Sequence, residues 1–292
     1  MLPNFRQRLM ILAAILLGLG GWLLVEQQLV ASDGGDGLSL MWSHTGPIRA
    51  SALVAIFGIP ALALGLIASV SGSPLAGVFS VTVALSVLAW RGGSIDGYMY
   101  RAALPGAYGT LIIEMAIWAA GLIVVLVTIR YLRAPIRSRL PVLAFADHAD
   151  VDLQFRIPKA QALLAGLICA VVGGVLAFFL LHSSDAGQVV LSLLLAFVIG
   201  GFTAQMVSPQ SNPVAVLLSP TVVAVFAYAW ILMKYNGQAD VLRAWHSSVP
   251  AHRLPGLALA LPIQYASAAV AGSAMGVGWA RSLDAGHEKT TA

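Results

Sequence analysis

"PLAGVFSVTV", residues 74–83, and "PVAVLLSPTV", residues 213–222, share Pro, Ala, Ser, Thr and Val in register, five of ten positions at an offset of 139. Apolar sequence matches itself easily in Ala and Val, and less easily in Pro, Ser and Thr at fixed spacing. Self-similarity of this kind is the first thing to seek, because it decides the architecture. Working outward, Gly20-Gly21 followed by Leu23 matches Gly173-Gly174 followed by Leu176, and Leu104-Pro105-Gly106 matches Leu254-Pro255-Gly256. The offset passes from 153 to 139 to 150, and each change falls in a connecting segment where length is free to vary.

The units so repeated are membrane-crossing. The chain has 292 residues, 59% hydrophobic and only 10% charged, against about 25% charged in soluble domains. Its apolar residues come in blocks of the length that spans a hydrocarbon core of about 30 Å at about 1.5 Å per residue. The spans expected are Leu9 to Val25, Ser51 to Val70, Pro74 to Trp90, Tyr108 to Ile129, Ala160 to Leu181, Val189 to Val207, Pro213 to Met233 and Gly256 to Ala280. The fold class is therefore an all-α polytopic membrane protein of about eight helices. It divides into a first four-helix repeat (1–130), a basic linker loop (131–159), a second four-helix repeat (160–281) and a polar tail (282–292). Four helices return the chain to its starting side, so the repeats are parallel, related by a pseudo-twofold axis along the membrane normal.

Charge sets the expected orientation. With the N-terminus inside, ten Lys/Arg residues face that side, among them Arg6, Arg8, Arg130, Arg133, Arg137, Arg139 and Arg281, and six face the other. The bias places both termini in the cytoplasm, in what is expected to be a bacterial inner membrane. The first apolar block resembles a signal peptide in its flanking arginines, but "QQLVASDGG" is a poor cleavage site, and its counterpart in mid-chain favours a retained helix. A net charge of +4 does not imply nucleic acid, because the cations form no stripe or aromatic-interleaved patch. The single cysteine, Cys169, excludes an intrachain disulfide and a thiolate metal cluster.

Glu114 is the leading candidate for chemistry, since an ionisable group inside a span is costly and functional by default. Its partner in the repeat is Gln264, and the two are expected to approach the axis together. The plain alternative is an interhelical hydrogen bond from Glu114 to Gln264 or to a nearby Ser or Thr, serving packing alone. The repeated hydroxyls Ser80, Thr82, Ser219 and Thr221 would line the same substrate or ion path. Pro60, Pro220 and Pro262 lie inside spans, where broken helices free carbonyls for a ligand or merely kink a helix to fit its neighbours. In the loops after the third helix of each half, Asp96, Arg101, Asp240 and Arg243 are candidate outer contacts. His246 and His252 beside Asp240, and Asp147, Asp150 and Asp152 around His148, lack the spacing or oxygen count of a metal site. Ala268, Gly272 and Gly276 form a small-residue seam for close helix contact.

No Walker A, nucleophile elbow, HExxH or Rossmann fingerprint is present, and no cofactor is expected. The first functional expectation is a small transporter or permease-like protein with a path between the repeats. The alternative is a non-catalytic subunit, scaffold or assembly factor of a larger membrane complex. Lowest stands a lipid-directed membrane enzyme using the outer loops, so an enzyme is the less expected outcome. The bilayer itself is the expected partner, with a second membrane protein or another copy of the chain as further possibilities.

Overall fold

A computed structural model describes residues 5–29, 38–41, 43, 45–96, 107–140, 153, 160–209, 211–235, 240, 241, 243, 244, 247 and 254–291. Every regular element among them is a helix, and seven helices are long and apolar enough to cross a membrane. They are α1 (Phe5–Leu29), α2 (Pro47–Ser71), α3 (Pro74–Arg91), α4 (Ala107–Arg139), α5 (Ala160–Leu180), α6 (Ala186–Val207) and α7 (Val214–Lys234). The chain is accordingly a multi-pass membrane protein. Large apolar side chains such as Leu24, Ile48 and Met233 stand exposed on its surface, as they must where the surrounding medium is hydrocarbon.

The eighth expected span does not form one rod from Gly256. A 3-10 turn (Gly256–Leu259) is followed by a break at Ala260 and Leu261, a short helical piece (Pro262–Gln264), a π turn (Tyr265–Ala269) and then α8 (Val270–Thr291). The apolar stretch is thus divided among irregular pieces, and α8 carries the polar tail. Pro262 sits in the first turn after the break, where its missing N–H costs nothing. By contrast, α2 and α7 run unbroken through Pro60 and Pro220. Helix α4 also exceeds its expected end: residues 131–139, read as the start of the linker, continue it to Arg139.

Helix α3 is the central element, packed by α1, α2, α4, α6, the π turn and α8. Its entry is fixed locally, with Ser73 accepting from the N–H of Ala76 and Pro74 opening the first turn. Basic side chains gather at one end of the bundle. There Arg133 of α4 donates from Nε to Ser69 O at 2.8 Å and from Nη2 to Gly72 O at 3.3 Å, holding the turn between α2 and α3. Arg281 of α8 donates from Nη2 to Ser211 O at 3.1 Å, in the turn between α6 and α7.

The expected small-residue seam lies within the chain and not against a partner. Gly272 rests on the backbone of Leu194, and Gly276 on that of Val198, with no room for a Cβ at either. Gly201 reaches back to Ser273, where a Cβ would come within 2.7 Å of its carbonyl. Helices α6 and α8 therefore touch backbone to backbone. Replacing Gly276 by Leu should abolish a folded monomer in detergent, whereas Gly20→Leu, at a site with nothing within 4 Å of a Cβ, should leave the melting temperature nearly unchanged. Size-exclusion profiles and thermal melts of the two variants check the contrast.

Candidate functional site

Glu114 lies two turns into α4, roughly 10 Å along it by helix rise, and is fully buried. Its partner is not Gln264. Ser39 donates its hydroxyl to Glu114 Oε2 at 2.5 Å, and Trp118, one turn further along α4, donates its indole N–H to Oε1 at 3.3 Å. The backbone amides of Leu40 and Met41 also face the carboxylate. These four donors fill the acceptor sites of one carboxyl group.

Ser39 belongs to a segment that sequence reasoning left as outer loop. Leu38, Ser39 and Leu40 are all buried, and the Leu38 N–H donates to Gly92 O at 2.7 Å at the end of α3. The segment folds into the bundle, and Glu114 is the anchor that holds it there. The available signal was "LSLMW" at 38–42, an apolar run within otherwise polar sequence.

Gln264 is also buried but turns onto its own helix start, its Oε1 accepting from the Leu261 N–H at 2.8 Å while its Nε2 has no hydrogen-bond partner among the described residues. Pro262–Gln264 packs on α4, but no hydrogen bond joins Gln264 to Glu114 among the described residues. Most of the proposed path hydroxyls bond to their own helices: Ser80 to Ala76 O at 2.9 Å, Thr82 to Val78 O at 2.9 Å and Ser219 to Val216 O at 2.8 Å. Thr221 Oγ1 is buried without a partner among the described residues. Asp96 accepts from Ser184 at 2.5 Å, joining the stretch after α3 to the turn between α5 and α6. Asp240 and Arg243 form an exposed pair at 3.6 Å, of a kind that contributes little. Arg101, His148, His246, His252 and the aspartates of the linker lie outside the described residues. No cluster of metal-ligating side chains occurs among those described.

Three tyrosines form a second polar centre that the sequence did not suggest. Tyr228 of α7 donates to Ala260 O at 2.7 Å, Tyr265 to Leu257 O at 2.8 Å and Tyr108 of α4 to Ala258 O at 3.1 Å. Their rings pack in sequence, Tyr108 to Tyr228 at 5.8 Å and Tyr228 to Tyr265 at 6.3 Å between centroids. All three hydroxyls serve carbonyls of the broken segment before α8. This answers the requirement that backbone at membrane depth find partners in protein.

No protein-family model matches the chain, and no curated protein or solved structure shows a significant match. The site is therefore read from its own geometry.

Glu114→Ala should release the 38–41 segment and lower the melting temperature strongly, each lost hydrogen bond costing about 0.5–1.5 kcal/mol. Limited proteolysis between α1 and α2 should accelerate in parallel; an unchanged cleavage rate would refute the anchor. Tyr228→Phe should cost about 1–3 kcal/mol, the penalty of a buried carbonyl left without a donor. That exceeds the roughly 0.6 kcal/mol average of interhelical hydrogen bonds in membranes, because Ala260 O has no helical N–H to turn to. Denaturant titration in mild detergent reads the difference.

Proposed function

We propose that the chain is a small permease-like carrier made of two parallel four-helix repeats, 1–130 and 160–281, with its solute path between them. The observation that carries the reading is a crevice of about 340 Å³ at the arginine-rich end. It opens between α1, the α2–α3 turn and α8, and so at a junction of the two halves, with Met10, Ser73, Phe79, Ser80, Ala274 and Gly278 among its walls. The walls are apolar with a few hydroxyls, which suits a weakly polar or amphipathic solute. At the opposite end, the three tyrosines and the buried 38–41 segment close the interior.

The duplication is supported by contacts that recur close to the sequence offsets. Arg133 holds Gly72 O and Arg281 holds Ser211 O, and Gly72 and Ser211 are themselves 139 residues apart. Helix α4 lies on α7 as α8 lies on α3, each fourth helix meeting the third helix of the other half. Tyr108 reaches Ala258, its equivalent at the offset of 150, as residues beside a twofold axis do. In this arrangement both termini and the 131–159 linker face the cytoplasm of a bacterial cell, and Asp96, Arg101, Asp240 and Arg243 stand at the opposite surface.

A second reading, a non-catalytic subunit or scaffold of a membrane complex, is favoured by one specific observation. Glu114, Ser80, Thr82 and Ser219 spend their hydrogen-bonding capacity inside the chain, which leaves few buried groups to bind a solute.

Vesicles reconstituted with the protein separate the two. Entrapped pyranine reports protons, and uptake of a lipophilic cation and of a lipophilic anion is followed in parallel. The carrier reading expects flux above protein-free vesicles for at least one probe, and its loss in Gly278→Trp, a position with nothing within 4 Å of a Cβ. Absence of wild-type flux for all three sinks it, and stoichiometric co-purification of another membrane protein would then support the scaffold.

A further inference from the structure

We propose that the lateral groove between α2 and α4 is a binding site for one acyl chain of a bilayer phospholipid. The inference is independent of whether the chain transports anything. The groove encloses about 380 Å³ and is lined by Ala55, Gly58, Leu62 and Val81, with Trp118 and Gly121 on the α4 side. Its volume lies in the range of ordinary ligand sites. Its walls are mostly apolar, with the hydroxyls of Ser51 and Thr82 the exceptions, so it offers water few partners.

Three observations identify the occupant. First, the groove opens among side chains that face the membrane: Ile56, Ile59, Ile113 and Val124 on the same two helices are each more than half exposed. Hydrocarbon is the medium on that side. Second, the α2 lining runs from Ser51 to Leu62, roughly 16 Å by helix rise. That is about half of the ~30 Å hydrocarbon core, the depth of a single leaflet and hence of a single acyl chain. Third, the corresponding helix pair in the second half, α6 and α8, has no such space, because Gly201, Gly272 and Gly276 bring their backbones together. The glycines of the first half are spent differently. Gly58 and Gly121 both line the groove, and a Cβ added to either meets nothing within 4 Å. Close packing does not require them; the open volume does.

Trp118 supplies the reporter. Its ring is only 7% exposed on the protein surface, yet it forms part of the groove wall. The protein is reconstituted in phosphatidylcholine vesicles whose acyl chains are brominated near mid-chain, and the fluorescence assigned to Trp118 is taken as the difference between wild type and Trp118→Phe. An acyl chain in the groove quenches that component as strongly as an exposed indole such as Trp90. Gly58→Leu or Gly121→Leu, which fills the space without displacing backbone, abolishes the quenching, while Gly20→Leu, outside the groove, leaves it intact. As a second readout independent of Trp118, phosphate analysis of detergent-purified protein should find less retained phospholipid in Gly58→Leu and Gly121→Leu than in Gly20→Leu. A Trp118 component that bromine does not quench, or quenching and retained phospholipid that persist unchanged in both groove variants, overturns the proposal.

Discussion

A peptide group in hydrocarbon must find its hydrogen-bond partner within the protein, and this constraint governs where the chain is allowed to stop being helical. Most of it complies by forming long helices. Two described segments do not, and each is met by a dedicated set of donors or acceptors. At residues 38–41 the backbone turns inward, where Gly92 O takes the Leu38 N–H and Glu114 takes what Ser39, Leu40 and Met41 offer. At residues 256–261 the free carbonyls are taken by three phenolic hydroxyls. Seen this way, the intramembrane acid and the tyrosine cluster solve the same problem with opposite polarity.

The same constraint explains the small hydroxylated side chains on α3 and α7. Ser80, Thr82 and Ser219 return their hydrogens to carbonyls one turn back, a bond that any helix offers and that needs no ligand. Arginine acts in the complementary sense at the basic end, where Arg133 and Arg281 satisfy carbonyls that the turns expose.

The helices were legible in the sequence because hydrophobic block length is set directly by bilayer thickness, and seven of the eight expected spans have a helix over them. The eighth was misread because composition cannot distinguish a straight span from an apolar stretch that begins with a broken segment; Gly256 and Pro262 only hint at the division. Glu114 was legible as costly and therefore paired. Its partner was not, because Ser39 is 75 residues away in a segment whose polar surroundings masked a buried apolar run. Tyr108, Tyr228 and Tyr265 were invisible for a different reason: a tyrosine in a span reads as one more apolar ring until its hydroxyl is seen to meet a carbonyl. Small residues were legible as a seam, though Gly58 and Gly121 show that the same residue type also marks places left deliberately uncovered.

The unequal packing of these two helix pairs has a mechanical consequence. Backbone contact along α6 and α8 leaves no slack for one to slide on the other, so that pair behaves as a stator. The α2–α4 pair, with an open groove along its contact, is the less tightly held of the two. Any rearrangement of the molecule would then be borne by its N-terminal helices, with lateral pressure in the surrounding leaflet as the force that sets their spacing.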